Sequence, residues 1–441
     1  AAKIAAEKGL KVLMCTGPTP TPTISHAIRS IKAVGAINFT ASHNPPEYQG
    51  IKFSTSDGAP AMPEITNQIE QAIIDNSPVE KADGGSIEDF DPKPAYLDDL
   101  KAKINFAAIA AAKPKFAYDP LWGTGRGYLD KVLRDHGVEV ETIHDWRDVT
   151  FGGRSPEPGA DHLEELKEAV TSKDLTLGLA TDGDGDRFGV IDSDGTFIEP
   201  NKLVALLTDY LAESRGWTLG VARSVATSHL IDRVAKDRGL KVHETPVGFK
   251  FIGELIIKDE IILGGEESAG LSIRGHYPEK DGILACLLAA EAVAVRNSSL
   301  GEQLEDLYKR VGRLESGRIG VKLTDDVSAR LKEKLAERIE KISAEMIEQT
   351  VSEVNSSMTS VRDEYFKSLQ SSISLQMKGF EDFVRLQEVQ IGAQVKSTTE
   401  SLVEDARVEL AGYKKQEMDR LGEQLPGIVE KSIAMPDAHQ G

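Results

Sequence analysis

Three aspartates alternate with glycines in the string Thr181-Asp182-Gly183-Asp184-Gly185-Asp186-Arg187. Alternate positions of an extended loop can turn three carboxylates to one side, and the glycines let the backbone curl around a small hard cation. Carboxylates this close repel one another unless something positive lies between them, so the string reads as a Mg²⁺ site, against the alternative of a solvated acidic turn. A calcium EF-hand loop is excluded: it needs Gly at its sixth position and Glu at its twelfth, where this chain has Arg187 and Ser193.

A second string, Thr40-Ala41-Ser42-His43-Asn44-Pro45-Pro46, is followed by Gly50-Ile51-Lys52-Phe53. An apolar run ends at Phe39 and the two prolines forbid continuation as helix or ladder, so Ser42 is expected on an exposed loop at a strand end. A serine hydroxyl needs a base or cation beside it to act as a nucleophile. His43 is adjacent, and Lys52 could return along the next strand. On these residues alone, a turn or cap serine is the competing reading.

The third string, Gly264-Gly265-Glu266-Glu267-Ser268-Ala269-Gly270, follows the apolar run 261–263. Glu266 and Ser268 offer the acceptors and donors that neighbouring sugar hydroxyls require, though a glutamate-rich turn can equally be solvated. Lys250 and Lys280 complete the inventory. Lys280 precedes an apolar helix, where a lysine and the helix amides together would anchor a phosphate; ordinary surface lysines are the alternative.

The elements that must hold these loops are written in the patterning. Up to about residue 310, short β-branched runs alternate with amphipathic segments, the mark of α/β units with buried, largely parallel strands. Strands are expected over 36–39, 115–118, 138–142, 175–180 and 260–263, and a helix over 201–213. A polar break at 83–94, an ill-defined linker at 107–114 and a turn at 192–200 divide this part. The opening residues read as the end of a helix that passes into a strand at 11–15, so the chain is expected to be a fragment that begins inside a domain.

From about residue 315 the composition shifts to Glu, Lys, Ser and Gln, and no proline occurs between Pro278 and Pro426. Ile347, Val351, Val354, Met358, Val361 and Tyr365 follow the 4-3 spacing of a coiled-coil seam. The tail is therefore expected to be long helix that self-associates or takes a partner helix.

Composition narrows the function classes. The chain has 441 residues, 52 basic against 71 acidic for a net charge of −19, and two cysteines without metal or redox spacing. Nucleic acid is an unsuitable partner for such a surface. No run of about 18 apolar residues suggests a membrane span, and a reducing, cytoplasmic setting is expected.

The order and content of the three loops resemble the α-D-phosphohexomutases, the family of phosphoglucomutase and phosphomannomutase. The resemblance covers roughly residues 1–320. It implies three α/β domains at 1–108 (incomplete, with the serine loop), 109–199 (metal loop) and 200–314 (sugar loop), ahead of the helical tail at 315–441. It implies phosphorylation of Ser42, Mg²⁺ bound by that phosphate with Asp182, Asp184 and Asp186, and sugar O3 and O4 read by Glu266 and Ser268. Lys52, His43 and Arg187 would serve phosphoryl transfer, and Lys250 and Lys280 the phosphosugar. The implied reaction interconverts hexose 1-phosphate and hexose 6-phosphate through glucose 1,6-bisphosphate or its analogue. Gly270 stands where mannose- and glucosamine-processing relatives usually carry His, so glucose is the expected sugar. The family's fourth domain, with its Ser-Gly-Thr phosphate loop, has no counterpart in 315–441. An impaired phosphosugar-binding assembly protein, or a phosphatase, is the rival expectation.

Overall fold

The computed structural model describes residues 1–317 except 77, 78 and 80, with a few isolated positions between 327 and 338. Residues 1–314 form one compact unit. The tail seam from Ile347 to Tyr365 lies outside the described residues.

The chain opens with α1 (Ala2–Glu7), β1 (Lys11–Cys15), α2 (Thr21–Ser30), β2 (Gly35–Phe39), β3 (Ile51–Thr55), α3 (Pro63–Ile74) and β4 (Ser86–Phe90). β1 pairs in parallel with β4, and β2 pairs antiparallel with β3, setting Phe39 opposite Ile51 and Asn38 opposite Lys52. The polar stretch expected to be a break at 83–94 thus contains a strand. Its Ser86-to-Phe90 backbone is recruited by β1 although its side chains carry no apolar alternation, which is tertiary pairing overriding local preference. The strands here are also less buried than their patterning suggests: Ile37, Phe39 and Ile51 are exposed.

Next come α4 (Lys93–Lys103), α5 (Phe106–Ala112), β5 (Lys115–Asp119), α6 (Leu129–Asp135), β6 (Glu139–Thr142), α7 (Glu164–Ser172), β7 (Leu177–Thr181) and β8 (Phe188–Asp192). The segment expected as an ill-defined linker at 107–114 is helix α5. Its alanines have the highest helix propensity, Asn105 caps it by accepting from the Ala108 amide, and Phe106 and Ile109 bury one face. Four strands form a sheet in the order β6-β5-β7-β8, parallel except for the edge strand β8.

The last stretch holds α8 (Pro200–Arg215), β9 (Gly220–Ser224), α9 (Leu230–Arg238), β10 (Val242–Thr245), α10 (Phe249–Ile257), β11 (Ile261–Gly265), β12 (Leu271–Ile273), α11 (Gly282–Arg296) and α12 (Leu300–Val311). Its sheet, β10-β9-β11-β12, repeats the plan of the previous one with an antiparallel edge strand. Helix α11 runs through the middle of the main core, with every residue from Gly282 to Val293 buried. That explains an apolar run without polar alternation: a helix apolar all round belongs inside. Among the described residues no single helix is long and apolar enough to cross a membrane.

This arrangement gives the three chemical strings one architectural role. Each is the connection between a strand and its antiparallel successor: β2 to β3 for Ser42, β7 to β8 for the aspartates, β11 to β12 for Glu266 and Ser268. A hairpin connection leaves the backbone free of the ladder at its tip, so glycines and left-handed residues can aim side chains there.

Candidate active site

Ser42 sits on the β2–β3 connection with φ of 57°. This left-handed conformation is costly for a residue with a side chain, and it is fixed locally because the Ser42 amide donates to Thr40 Oγ1 at 2.8 Å. Contrary to expectation, Ser42 is half-buried rather than exposed, because the aspartate loop closes over it. Its hydroxyl donates to Asp182 Oδ2 at 3.2 Å, and His43 Nδ1 lies 3.4 Å from the same hydroxyl oxygen.

The three aspartates are buried together, each at most 3% exposed, which disposes of the solvated-turn alternative. Their carboxylates each place an oxygen within 4.8 Å of the others. Asp182 Oδ1 accepts the backbone amides of Asp186 and Arg187, which ties the loop into a ring. Asp184 Oδ2 accepts from Thr21, Thr40 and Lys52 at 2.9, 3.2 and 2.8 Å. Asp186 Oδ2 faces Lys52 at 3.2 Å and Lys280 at 3.0 Å.

The remaining oxygens, Asp184 Oδ1 and Asp186 Oδ1, are buried with no hydrogen-bond partner. An unsatisfied buried carboxylate oxygen is expensive. Two in one pocket, beside a third carboxylate, fit a hard divalent cation that takes oxygen ligands. The electrostatics agree. Burial, with Asp186 and Asp184 alongside, pushes the Asp182 carboxyl well above the usual range. Burial also opposes the charge of Asp186, yet Lys280, Lys52 and Arg187 outweigh it and hold that group below the usual range. A bound cation would relieve the strain on Asp182.

Positive charge is concentrated around the same point. Lys52 reaches back along β3 as its spacing suggested, and Lys280 comes from the turn before α11, where Gly282 donates to the Gly185 carbonyl at 3.1 Å. Burial, helped by the neighbouring Arg187, pushes His43 down to about 3. The imidazole is therefore neutral near pH 7, and the cations of the site are lysine and arginine.

Glu266 and Ser268 are buried at the β11–β12 connection, and Glu266 Oε1 accepts the Gly248 amide at 3.0 Å. This turn adjoins the first cluster: the Phe188 amide donates to the Ala269 carbonyl at 3.2 Å, and a side chain on Gly270 would meet the Lys280 methylenes. Lys250, at the start of α10, is not drawn into the ion-pair cluster; its Nζ lies 5.4 Å from the Phe251 ring centre.

Sequence reasoning overlooked Thr21 and Glu279. Thr21 opens α2, and its amide also donates to the Asp184 carbonyl at 2.8 Å; nothing in the local pattern of 18–23 indicates that it faces the aspartates. Glu279 is buried beside Lys280, and burial first of all pushes it up to about 7.

Comparison with known proteins adds a lineage to this geometry. Three family models match in order: "Phosphoglucomutase/phosphomannomutase, alpha/beta/alpha domain I" over 1–80, domain II over 94–195 and domain III over 199–311. The phosphoglucomutase of Komagataeibacter xylinus is 33% identical over 336 residues, which cover 69% of this chain and 60% of that one. The phosphoglucomutase/phosphomannomutase of Thermococcus kodakarensis is 31% identical, covering 66% and 64%. The chain thus spans about three fifths of the length of these relatives. A crystal structure from Thermus thermophilus, of a protein assigned as a phosphomannomutase, superposes with a TM-score of 0.65 at 34% identity, covering 73% of this chain and 75% of that one. On its three successive domain matches and this likeness over three quarters of a solved structure, the chain belongs to the phosphoglucomutase/phosphomannomutase family, the α-D-phosphohexomutases.

Proposed function

We propose that this protein is a Mg²⁺-dependent phosphohexomutase that interconverts hexose 1-phosphate and hexose 6-phosphate through a phosphoserine at Ser42. The observation that carries the reading is the meeting of the Ser42 hydroxyl, three buried aspartates of which Asp184 and Asp186 each keep an unpartnered oxygen, and two lysines. Asp182, Asp184 and Asp186 would hold the metal, joined by the phosphate on Ser42. When bound, the ion neutralises phosphoryl oxygens and so lowers the barrier to in-line transfer.

The chain's own residues do the rest. Phospho-Ser42 yields its phosphoryl group to the free hydroxyl of a hexose monophosphate: the serine P–O bond breaks, the sugar P–O bond forms, and the serine oxygen takes up a proton as the sugar hydroxyl loses one. The bisphosphate then turns round and returns its other phosphoryl group to Ser42. Lys52, Lys280 and Arg187 carry the charge that offsets the transferring oxygens. Neutral His43, 3.4 Å from the serine oxygen, offers an acceptor there without adding to that charge. Glu266 and Ser268 read the sugar hydroxyls, and Lys250 anchors the far phosphate. Glucose is the preferred sugar on this reading, because Gly270 stands where mannose- and glucosamine-processing relatives usually carry His.

The reading extends to domains at 1–108, 109–199 and 200–314, to a cytoplasmic setting, and to self-association or a partner helix through the 327–425 tail, which apart from a few isolated positions up to 338 lies outside the described residues. Incubation with glucose 1,6-bisphosphate followed by intact-mass spectrometry tests the nucleophile. Wild-type protein should gain one phosphoryl group and Ser42→Ala none; equal labelling would remove Ser42 from the mechanism.

A further inference from the structure

Away from the pocket, an imidazole is held between two carboxylates. His144, just after β6, is 5% exposed; its Nδ1 lies 2.9 Å from Asp119 Oδ2 and its Nε2 3.0 Å from Glu165 Oε2. Burial opposes its charge, but Asp119 and Glu165 outweigh burial and raise its basicity, so both ring nitrogens can donate at once. Neither His144 nor Asp119 was singled out by sequence patterning, and neither is needed to explain the core.

What this clamp holds is a strained turn. Asp119 Oδ1 accepts the Leu121 amide at 2.7 Å, and Leu121 and Trp122 are both left-handed, with φ of 49° and 56°. Two successive side-chain-bearing residues in that region are strained, and such strain persists only where surroundings over-determine it. The surroundings here are His144 and its neighbours. The Trp122 ring stacks on the imidazole with centroids 3.8 Å apart, Gly152 presses against the indole, and Arg154, paired with Glu165 at 3.2 Å, lies 5.5 Å from the ring centre.

The strained turn delivers the next two residues to the underside of the aspartate loop. Thr124 donates its amide to the Gly183 carbonyl at 2.9 Å. Gly123 lies so close that a side-chain carbon there would be 2.7 Å from the Gly183 carbonyl oxygen and 2.8 Å from that of Asp182. Gly183 is in turn in contact with the Ser42 backbone. A continuous set of contacts therefore runs from His144 through Asp119, the 121–124 turn and Gly183 to both the candidate metal ligands and the candidate nucleophile.

We propose that His144 is a positioning residue for this site: by clamping Asp119 and Trp122 it fixes the strained 121–124 turn that sets Asp182, Gly183 and Asp184 in place for the cation. The proposal rests on the reading of the aspartates as metal ligands, and two measurements separate the two. The first is calorimetric titration of Mg²⁺ into wild-type protein, His144→Ala, Asp119→Asn and His144→Asn, the last keeping a donor toward Asp119. The second is hydrogen exchange at the Thr124 and Gly183 amides.

Loss of an outer partner of a metal site costs about 10–100-fold in affinity. His144→Ala and Asp119→Asn should therefore weaken Mg²⁺ by about tenfold or more and speed exchange at Thr124 and Gly183, leaving β9 and β11 unchanged, and His144→Asn should recover most of both. Unchanged affinity and exchange in folded His144→Ala would overturn the proposal, and Asp119→Asn decides in the same way should His144→Ala not fold. If wild-type protein binds no Mg²⁺, the reading of the aspartates fails; exchange alone then decides, faster exchange upholding the clamp on the turn and unchanged exchange refuting it.

Discussion

Gly183 packs so closely on Ser42 that a side-chain carbon at position 183 would lie 2.5 Å from the Ser42 carbonyl oxygen. The serine loop and the aspartate loop, one closing β2 and the other closing β7, are therefore fitted to each other at backbone level. Gly183→Ala should force them apart, costing about 1–3 kcal/mol as overpacking does and slowing the labelling of Ser42 by glucose 1,6-bisphosphate. Thermal unfolding and time-resolved intact mass on the same variant check both parts; unchanged labelling would mean that the loops need not close.

Lys52 bridges Asp184 and Asp186 from β3. Lys52→Met leaves two buried carboxylates without that cation, a loss of about 1–3 kcal/mol for an unpaired polar group. Denaturation in chelator should show the loss, and added Mg²⁺ should restore much of it, since the ion supplies the missing charge. Equal stability of variant and wild type in chelator would contradict the role of this pair.

The three loops were legible because each couples a chemical string to a strand end, and hydrophobic runs such as 175–180 announce strands well. Burial was less legible. Ser42 reads as exposed from its two prolines, yet half-burial comes from a loop 140 residues away that no local pattern encodes. The strand Ser86–Phe90 was missed because its partner, not its own side chains, creates it. Helix α5 was missed because an alanine run flanked by lysine and proline gives no periodicity, while the Asn105 cap that starts it is a single residue. Thr21 shows the same limit at the site: a helix-start residue becomes a partner of Asp184 only in three dimensions.

Asp184 Oδ2 is fully engaged by Thr21, Thr40 and Lys52, leaving Oδ1 for a ligand. Asp184→Asn removes charge while keeping shape. If outer partners of a metal site are worth about 10–100-fold, a direct ligand is worth at least about tenfold. Calorimetric titration should show Mg²⁺ affinity falling by that factor or more, and unchanged affinity would exclude Asp184 as a ligand.

Glu279 gives a pH signature. Burial first of all raises its folded-state value from 4.5 to about 7, so the folded protein holds this proton more tightly than the unfolded chain. The stabilisation is complete below about 4.5 and is lost as pH rises towards 7. Glu279→Gln cannot lose that proton, so in chelator the melting temperature of wild type should fall relative to the variant across this window. Parallel curves would show that Glu279 titrates normally.

If Ser42 relays a phosphoryl group between the two ends of a hexose, glucose 1-phosphate is converted only while that hydroxyl is present. With Mg²⁺ and glucose 1,6-bisphosphate present, phosphorus NMR should show wild-type protein producing glucose 6-phosphate and Ser42→Ala producing none above background. Equal turnover by Ser42→Ala, or no turnover by wild-type protein under the same conditions, would contradict the account.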